Sequence, residues 1–353
     1  MTDKEYRSLE LVSYSSLSKL ADSPQGYKAS QESKRKETSE MVLGSVVDML
    51  LTNKEIFDDS VYVMTASKPG SELMLKYCNV LAQTGDTQRA HDESGYKINL
   101  DALVKKFDKE GRAYFDALLA GQGKMIIDAE GMFTANQLVA QLTSNPFTKG
   151  YFNSDSPDVE LKFQVSIIWN AQYQPVEGGD ARIMKVKSMI DIVHIDHANG
   201  VITPFDLKTG GEGFMKSYWR YKRYLQAAMY TDSLIFAAWD DPEGRMNHYQ
   251  VAPLKFIYAD TNLFHAPTIY ASTPLDIHAG REGIDYLEPL GGKVAGQGVD
   301  SVAWGPMGQT KRKGYSRLIA ELDWHQRNDI WNYTYEDYQN MGERQINAFG
   351  IKL

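Results

Sequence analysis

Hydrophobic and polar positions follow two different periods along this chain, and the places where the period changes predict its elements. Residues 13–23, SYSSLSKLADS, set a serine cluster ahead of Leu17 and Leu20 at helical spacing, which predicts a capped helix. SPQG at 23–26 breaks it, and the charge-dense QESKRKETSE at 31–40 reads as a loop or a solvated helix. MVLGSVVDMLL at 41–51 returns as a buried helix carrying one acidic residue, Asp48. From about 68 to 150 the period is helical but weak, interrupted at Lys68-Pro69-Gly70 and by TGDTQRAHDESG, which predicts a helical insertion. Between 159 and 208 the period drops to two. VELKFQVSIIW (159–169), IMKVKSMIDIVHI (183–195) and VITPFDLK (201–208) read as three successive strands. Asn199-Gly200, between the last two, is a strong turn signal. GGEG at 210–213 ends the sheet run, a long helical segment follows over about 214–238, and HYQVAPLKFIYA (248–259) supplies another strand. The tail from 286 opens with a Gly-rich loop and closes in an aromatic, acidic helical stretch.

The order helix, three strands, helix, strand predicts an α/β fold with a mixed sheet, its chemistry at one end of the central hairpin. With no internal repeat or low-complexity linker, the chain reads as a single elaborated domain over 1–353. Its expected parts are N-terminal motif helices (12–60), the helical insertion (61–150), a core (158–260) and a C-terminal extension (261–353). At 353 residues and 42% hydrophobic positions a large core is within reach. The formal charge of −8 argues against a globally basic nucleic-acid coat protein but leaves room for a local basic track. Cys78 is the only cysteine, so a disulfide framework, a Cys-rich zinc site and a four-cysteine iron–sulfur cluster are excluded within one chain. The first residues lack an apolar signal core, and the longest apolar stretch, LIFAAW at 234–239, falls far short of the ~20 residues of a membrane span. The expectation is a soluble protein of a reducing compartment, the cytoplasm.

Chemistry concentrates at 160–230. Asp191 is followed fifteen positions later by Asp206 and then by Lys208. On a strand, 206 and 208 share a face roughly 6–7 Å apart, while Phe205 and Leu207 point the other way. A turn centred on Asn199-Gly200 pairs 198 with 201 and sets 191 opposite 208; a loop longer by two residues sets 191 opposite 206. Either register keeps Asp191, Asp206 and Lys208 on one face, whereas a one-residue slip would not. Two carboxylates and an ammonium so arranged suit phosphodiester hydrolysis. Hard oxygens bind Mg²⁺ and leave water positions open, the metal acidifies bound water, and the ammonium orients that water or neutralises phosphate. A bare match of this kind is more often a surface hairpin with a salt bridge, so the surroundings matter.

Glu160, at the start of the preceding strand, could reach the same cleft as a third carboxylate. In MKSYWRYKRYLQAAMY, which follows the hairpin, Lys222, Gln226 and Tyr230 stand at i, i+4 and i+8 on one helix face, with Arg223 beside them. Residues 181–224 hold eight Lys/Arg and four Asp/Glu, a local balance of 8 − 4 = +4 inside a −8 chain. Lys216, Arg220, Lys222 and Arg223, interleaved with Tyr218, Trp219, Tyr221 and Tyr224, fit a nucleic-acid track. Lys216 and Arg220 individually also fit a solvated helix edge.

These residues resemble the PD-(D/E)XK nuclease superfamily, its RecB-like branch, and within it phage and prophage exonucleases of the RecE (exodeoxyribonuclease VIII) type. Four segments match in order: VSYSSLSKLADSPQGYK (12–28), LGSVVDMLL (43–51), Asp191 with FDLKTG (205–210), and YLQAAMY (224–230), which is similar to the branch's Y-x-x-Q-x-x-x-Y helix. They cover about residues 12–51 and 158–260. The resemblance implies a restriction-endonuclease-like mixed β-sheet core flanked by helices, with helical N-terminal decoration. It implies Asp191 and Asp206 as Mg²⁺ ligands (Mn²⁺ as substitute), with the Leu207 carbonyl adding an oxygen. Lys208 would be the catalytic lysine, and Gln226 and Tyr230 would support the site or contact DNA. Asp48 stands where relatives often place a metal-ligating histidine; oxygen suits Mg²⁺, and a buried helix does not normally tolerate an unpaired aspartate. The implied activity is hydrolysis of linear double-stranded DNA from 5′ to 3′ in phage-type recombination or replication, in the host cytoplasm if phage-encoded. A single-strand annealing protein and a homo-oligomeric ring are the implied partners. Two alternatives stand beside it, a structure-specific or single-strand endonuclease on the same core and a catalytically inactive DNA-binding module.

Other signals point to less. His194 and His197 lack the i, i+4 spacing of a helical zinc pair and read as turn residues. GGKVAGQG (291–298) and GPMGQTKRKG (305–314) lack the G-x-x-x-x-G-K-[S/T] pattern, so no nucleotide chemistry is expected. Lys311 to Lys313 and Lys34 to Lys36 read as solvated charge runs, and Cys78 as a small packed residue.

Overall fold

The computed structural model describes residues 3–32, 37–239, 244, 246–289 and 307–343. The Gly-rich loop after 290 and the Lys34–Lys36 run lie outside the described residues. The chain divides into two compact units, one of residues 1–35, 153–258 and 268–353, the other of 36–152 and 259–267. The helix predicted over 41–51 belongs to the second unit.

Helices α1 (Asp3–Ser8), α2 (Tyr14–Asp22) and α3 (Pro24–Glu32) open the first unit. Ser13 caps α2 through a reciprocal capping box with Ser16, and Leu17 and Leu20 are its buried positions. SPQG does break the helix, but Pro24 then begins α3, since proline fits the first helical turn.

The second unit contains α4 (Ser39–Thr52), α5 (Phe57–Ser60), β1 (Val61–Met64), α6 (Glu72–Thr84), α7 (Thr87–Ser94), α8 (Leu100–Glu110), α9 (Arg112–Ala120), β2 (Met125–Asp128) and α10 (Ala129–Ser144). α4 packs on α10 and β2. The parallel pair β1 and β2, Val61 opposite Met125, was not foreseen in the weak helical pattern. A core of Met74, Tyr77, Cys78, Leu103 and Phe107 holds the middle of this unit together. Asp48 is half-buried on α4, and its carbonyl accepts from the Thr52 hydroxyl at 2.8 Å.

The first unit continues with β3 (Val159–Tyr173), β4 (Arg182–Asp196), β5 (Val201–Gly210), α11 (Phe214–Arg220), α12 (Arg223–Trp239), β6 (Gln250–Val251), β7 (Lys255–Asp260), β8 (Thr268–Ala271), α13 (Pro274–Glu282), β9 (Gly283–Pro289), β10 (Met307–Lys313), α14 (Tyr315–Asn328) and α15 (Tyr335–Gln339). The main sheet runs β3-β4-β5-β7-β8, with β6 joined to β5. β3, β4 and β5 are antiparallel neighbours and β6 lies parallel to β5, so this is a mixed α/β sheet. Helices α12 and α14 pack on it, and α2 packs against both of them. Leu17, Ile190, Val193, Leu225, Met229, Leu318 and Ile319 form part of that shared core. Each such fully buried side chain contributes about 1.5–3 kcal/mol. The long helix predicted over 214–238 is two helices with an elbow at Tyr221 and Lys222, and the strand predicted over 248–259 is divided around Pro253. Among the described residues no helix is long and apolar enough to cross a membrane.

Candidate active site

Asp196 pairs with Val201 and Ile192 with Phe205, so the β4–β5 hairpin has the longer of the two loops considered. One step further, that register sets Asp191 across from Asp206. Here the Asp191 carboxylate takes a ladder position itself, Oδ2 accepting from the Leu207 backbone N–H at 2.8 Å. Buried alternation on β4 slips at the same point: Ile190 and Val193, three residues apart, both enter the core. On β3, Gln164, the position facing Asp191, has φ +50° in the left-handed region, a strain of order 1 kcal/mol for a non-glycine residue. The backbone is bent where the carboxylates meet, as bulged or kinked strands often are beside functional groups.

Asp206 is only 2% exposed. Gln226 Nε2, on α12, donates to Asp206 Oδ1 at 2.7 Å, and the Lys208 ammonium forms an ion pair with Oδ2. Oδ2 takes no hydrogen bond of regular geometry beyond that contact. Lys208 Nζ also lies 3.4 Å from the Leu207 carbonyl oxygen. Tyr230, one turn beyond Gln226, is raised well above the ordinary phenol range by burial, then by the fields of Asp206, Asp191 and Tyr6. Tyr6 belongs to α1, tied down by Lys187 of β4, whose ammonium donates to the carbonyls of Tyr6 at 2.9 Å and Leu9 at 2.7 Å. Burial lowers the Lys187 pKa.

Asp191, Asp206, Lys208, the Leu207 carbonyl, Gln226 and Tyr230 are thus gathered in one place. Three expected members are not brought to it. Glu160 pairs across the ladder with Ile195, four positions along β4 from Asp191, and is held by Lys162 and His197 at 3.3 Å each. A β-strand advances about 3.3 Å per residue, too far for one carboxylate to bridge. Tyr224 is 4% exposed, its hydroxyl donating to the Lys313 carbonyl at 3.3 Å, so its ring is core packing and not a surface for nucleic acid. Lys222 is not on the α12 face either. It precedes the helix at φ +52° and pairs with Asp22 at 2.5 Å, so the face that reads Gln226 and Tyr230 begins at Arg223.

Lys216 and Arg220 both pair with Glu212, at 3.4 and 3.3 Å. The exposed rings nearby are Trp219 at 42% and Tyr221 at 45%. Arg312 lies 4.5 Å over Trp219, and Arg220 and Arg223 lie 5.5 and 5.4 Å from the Tyr221 ring centroid. Sequence reasoning missed what shapes this elbow: the Tyr14 hydroxyl donates to the Tyr221 carbonyl, with Ser18 Oγ 3.5 Å away. Burial raises the Tyr14 phenol, Arg223 acting against it and Asp206 with it. More than two hundred residues separate Tyr14 from Tyr221, and no local periodicity signals such a contact.

Among the described residues no group of three or more His, Cys, Asp or Glu side chains is positioned to hold a metal ion. The donor set still fits a small hard cation. Two carboxylates, one buried with an oxygen lacking a regular hydrogen bond, and a backbone carbonyl leave the remaining positions to water and phosphate, as Mg²⁺ prefers. The Lys208 ammonium, paired with Asp206 Oδ2, adds positive charge to the same cluster. Cavities of about 790 and 370 Å³ lie elsewhere in the first unit; Asp232, Arg281 and Tyr315 line the first, Val193, Ile202 and Phe236 the second.

No family model matches the chain, and no curated protein matches it. Among solved structures it is similar to a protein from Eubacterium rectale provisionally described as an exonuclease, at 14% identity over 79% of this chain and 80% of that one, with a TM-score of 0.41. The chemistry rests on the side chains themselves.

Proposed function

We propose that this chain is a divalent-cation-dependent nuclease that hydrolyses phosphodiester bonds in DNA, and that it acts as an exonuclease on linear duplex ends. The observation that carries the reading is the buried Asp206 carboxylate, pinned by Gln226 and paired with Lys208 across from Asp191. Asp191 and Asp206 would hold Mg²⁺ with the Leu207 carbonyl, and a bound Mg²⁺ supplies positive charge and an acidified water. Gln226 fixes the rotamer of Asp206, and Tyr230, one turn further along α12, lies in the field of both carboxylates. The Lys208 ammonium, beside the Asp206 carboxylate, would neutralise a phosphate oxygen or orient the attacking water. The expected partners in this reading are DNA, a single-strand annealing protein and a ring of identical subunits, the last checked by sedimentation.

A second reading, an endonuclease acting on single strands or junctions, is favoured by the exposed Trp219 and Tyr221 rings, onto which unpaired bases can stack. One time course separates them: Mg²⁺ with linear and covalently closed duplex, and Asp191→Ala, Asp206→Ala and Lys208→Ala as controls. Loss of the linear form alone, absent in all three variants at unchanged melting temperature, is the expected result. Cutting of closed circles selects the second reading. Wild-type turnover by any of the variants removes both, and no cleavage with Mg²⁺ or Mn²⁺ leaves a binding module.

A further inference from the structure

We propose that Arg223 is a preformed phosphate receptor, which binds a backbone phosphate one step along the strand from the phosphate at the carboxylate pair. This rests on the nuclease reading for its substrate, but the anion site itself is argued from the elbow between α11 and α12.

Arg223 is 9% exposed, and its Nε is buried without a hydrogen-bond acceptor. Among the described residues no carboxylate pairs with it. Its neighbours are rings, the guanidinium lying 5.8 Å from the Phe214 centroid and 5.4 Å from that of Tyr221. The other cations of the elbow are spent: Lys222 on Asp22, Lys216 and Arg220 on Glu212. A nearly buried cation met by rings alone, among cations paired with carboxylates, is poorly placed for stability, since burial penalises a charge that no carboxylate offsets. It is well placed for an anion that arrives later.

Three further features point the same way. Arg223 opens α12, a helix of 17 residues with no acidic side chain in its first turn, so backbone N–H groups and the helix dipole favour negative charge there. Arg223 precedes Gln226 by three positions on one helix face, about 5–6 Å between side-chain origins, the scale of one nucleotide step. Gln226 in turn holds Asp206, and the Tyr14 phenol senses both Arg223 and Asp206. The planar fork of a guanidinium matches two phosphate oxygens, which an ammonium cannot do.

The test is made in EDTA, so that neither metal nor turnover enters. Wild type, Arg223→Met and Arg223→Lys are melted with inorganic phosphate titrated in, and binding of a short DNA strand with hydroxyls at both ends is followed by fluorescence anisotropy against salt. Phosphate is expected to raise the wild-type melting temperature. Arg223→Met should melt at or above the wild type without phosphate, show no phosphate response, bind the strand roughly tenfold more weakly and lose about one phosphate from the salt slope. Arg223→Lys should lose most of the phosphate response despite keeping its charge. An Arg223→Met protein that melts lower while binding phosphate and DNA like the wild type overturns the proposal, as does a wild type indifferent to phosphate. Absence of cleavage by the wild type with Mg²⁺ counts against the nuclease reading alone.

Discussion

Asp206 and His325 are both buried polar residues, yet their environments set opposite tasks. Asp206 meets a donor at one oxygen and a cation at the other. Replacing Gln226 by Leu removes the donor and leaves the buried oxygen to the carboxylate alone, which should cost about 1–3 kcal/mol in urea unfolding. Cleavage should fall roughly 10–100-fold, as for partners that orient a metal ligand, and an unaltered rate would sever Gln226 from the site. His325 is 0% exposed, with Nδ1 donating to the Ile330 carbonyl at 2.5 Å, and burial lowers its pKa. A histidine depressed in the fold stays neutral while its unfolded counterpart, near 6.5, takes a proton. Its linkage therefore leaves stability intact above about pH 6.5 and removes it progressively as pH falls through that value toward the folded pKa. Thermal melts from pH 8 to 5 should show this loss, and His325→Gln should flatten it. His194 is shifted the same way, so the difference between the two proteins isolates His325.

At the level of elements, the position of α12 decides the site, because Arg223, Gln226 and Tyr230 all project from it. Gly280 of α13 sets that position. A β-carbon there would lie 2.1 Å from the Tyr224 carbonyl oxygen and 2.6 Å from the Ala228 β-carbon, both parts of α12. Gly280→Ala must push the two helices apart, and overpacking of this kind costs about 1–3 kcal/mol. Its expected signature is a lower melting temperature together with reduced cleavage, since Gln226 moves with the helix; a fully active variant would mean that α12 tolerates displacement. The elbow before α12 is likewise built by partners from a distant element, Tyr14, Ser18 and Asp22 of α2. The serine-rich opening segment therefore contributes more than a capped helix. Its side chains hold the turn that presents Tyr221 and Arg223.

For the whole molecule, each unit has its own core. Cys78, the single cysteine, reports on the second: it is buried, Sγ lies 3.6 Å from the Gly111 carbonyl, and burial pushes its thiol up to about 11. A thiol reagent at pH 8 should leave it unlabelled in the native protein and reach it only as that unit opens. Labelling followed through a denaturant series, beside the fluorescence of the tryptophans, all outside the second unit, measures whether the units unfold together. Rapid labelling without denaturant would contradict the buried placement.

Strand locations were largely legible because alternation is a local property: the expected 159–169, 183–195 and 201–208 fall within β3, β4 and β5. Two carboxylates and a lysine fifteen to seventeen positions apart were legible for the same reason, since a strand's period sets which side chains share a face. The sequence by itself therefore determined β3, β4 and β5, the capped α2 and the residues that come together at the hairpin. Tertiary structure decided what depends on separation in space. Hairpin register was open until the loop length was known, and Glu160 looked within reach only while the register of β3 against β4 was unspecified. Tyr224 could pass for a surface ring because a lone aromatic carries no record of which helix will cover it. The elbow at Tyr221 and Lys222 was hidden because a left-handed lysine has no sequence signature like that of glycine, and the contacts that hold it come from residues some two hundred positions away.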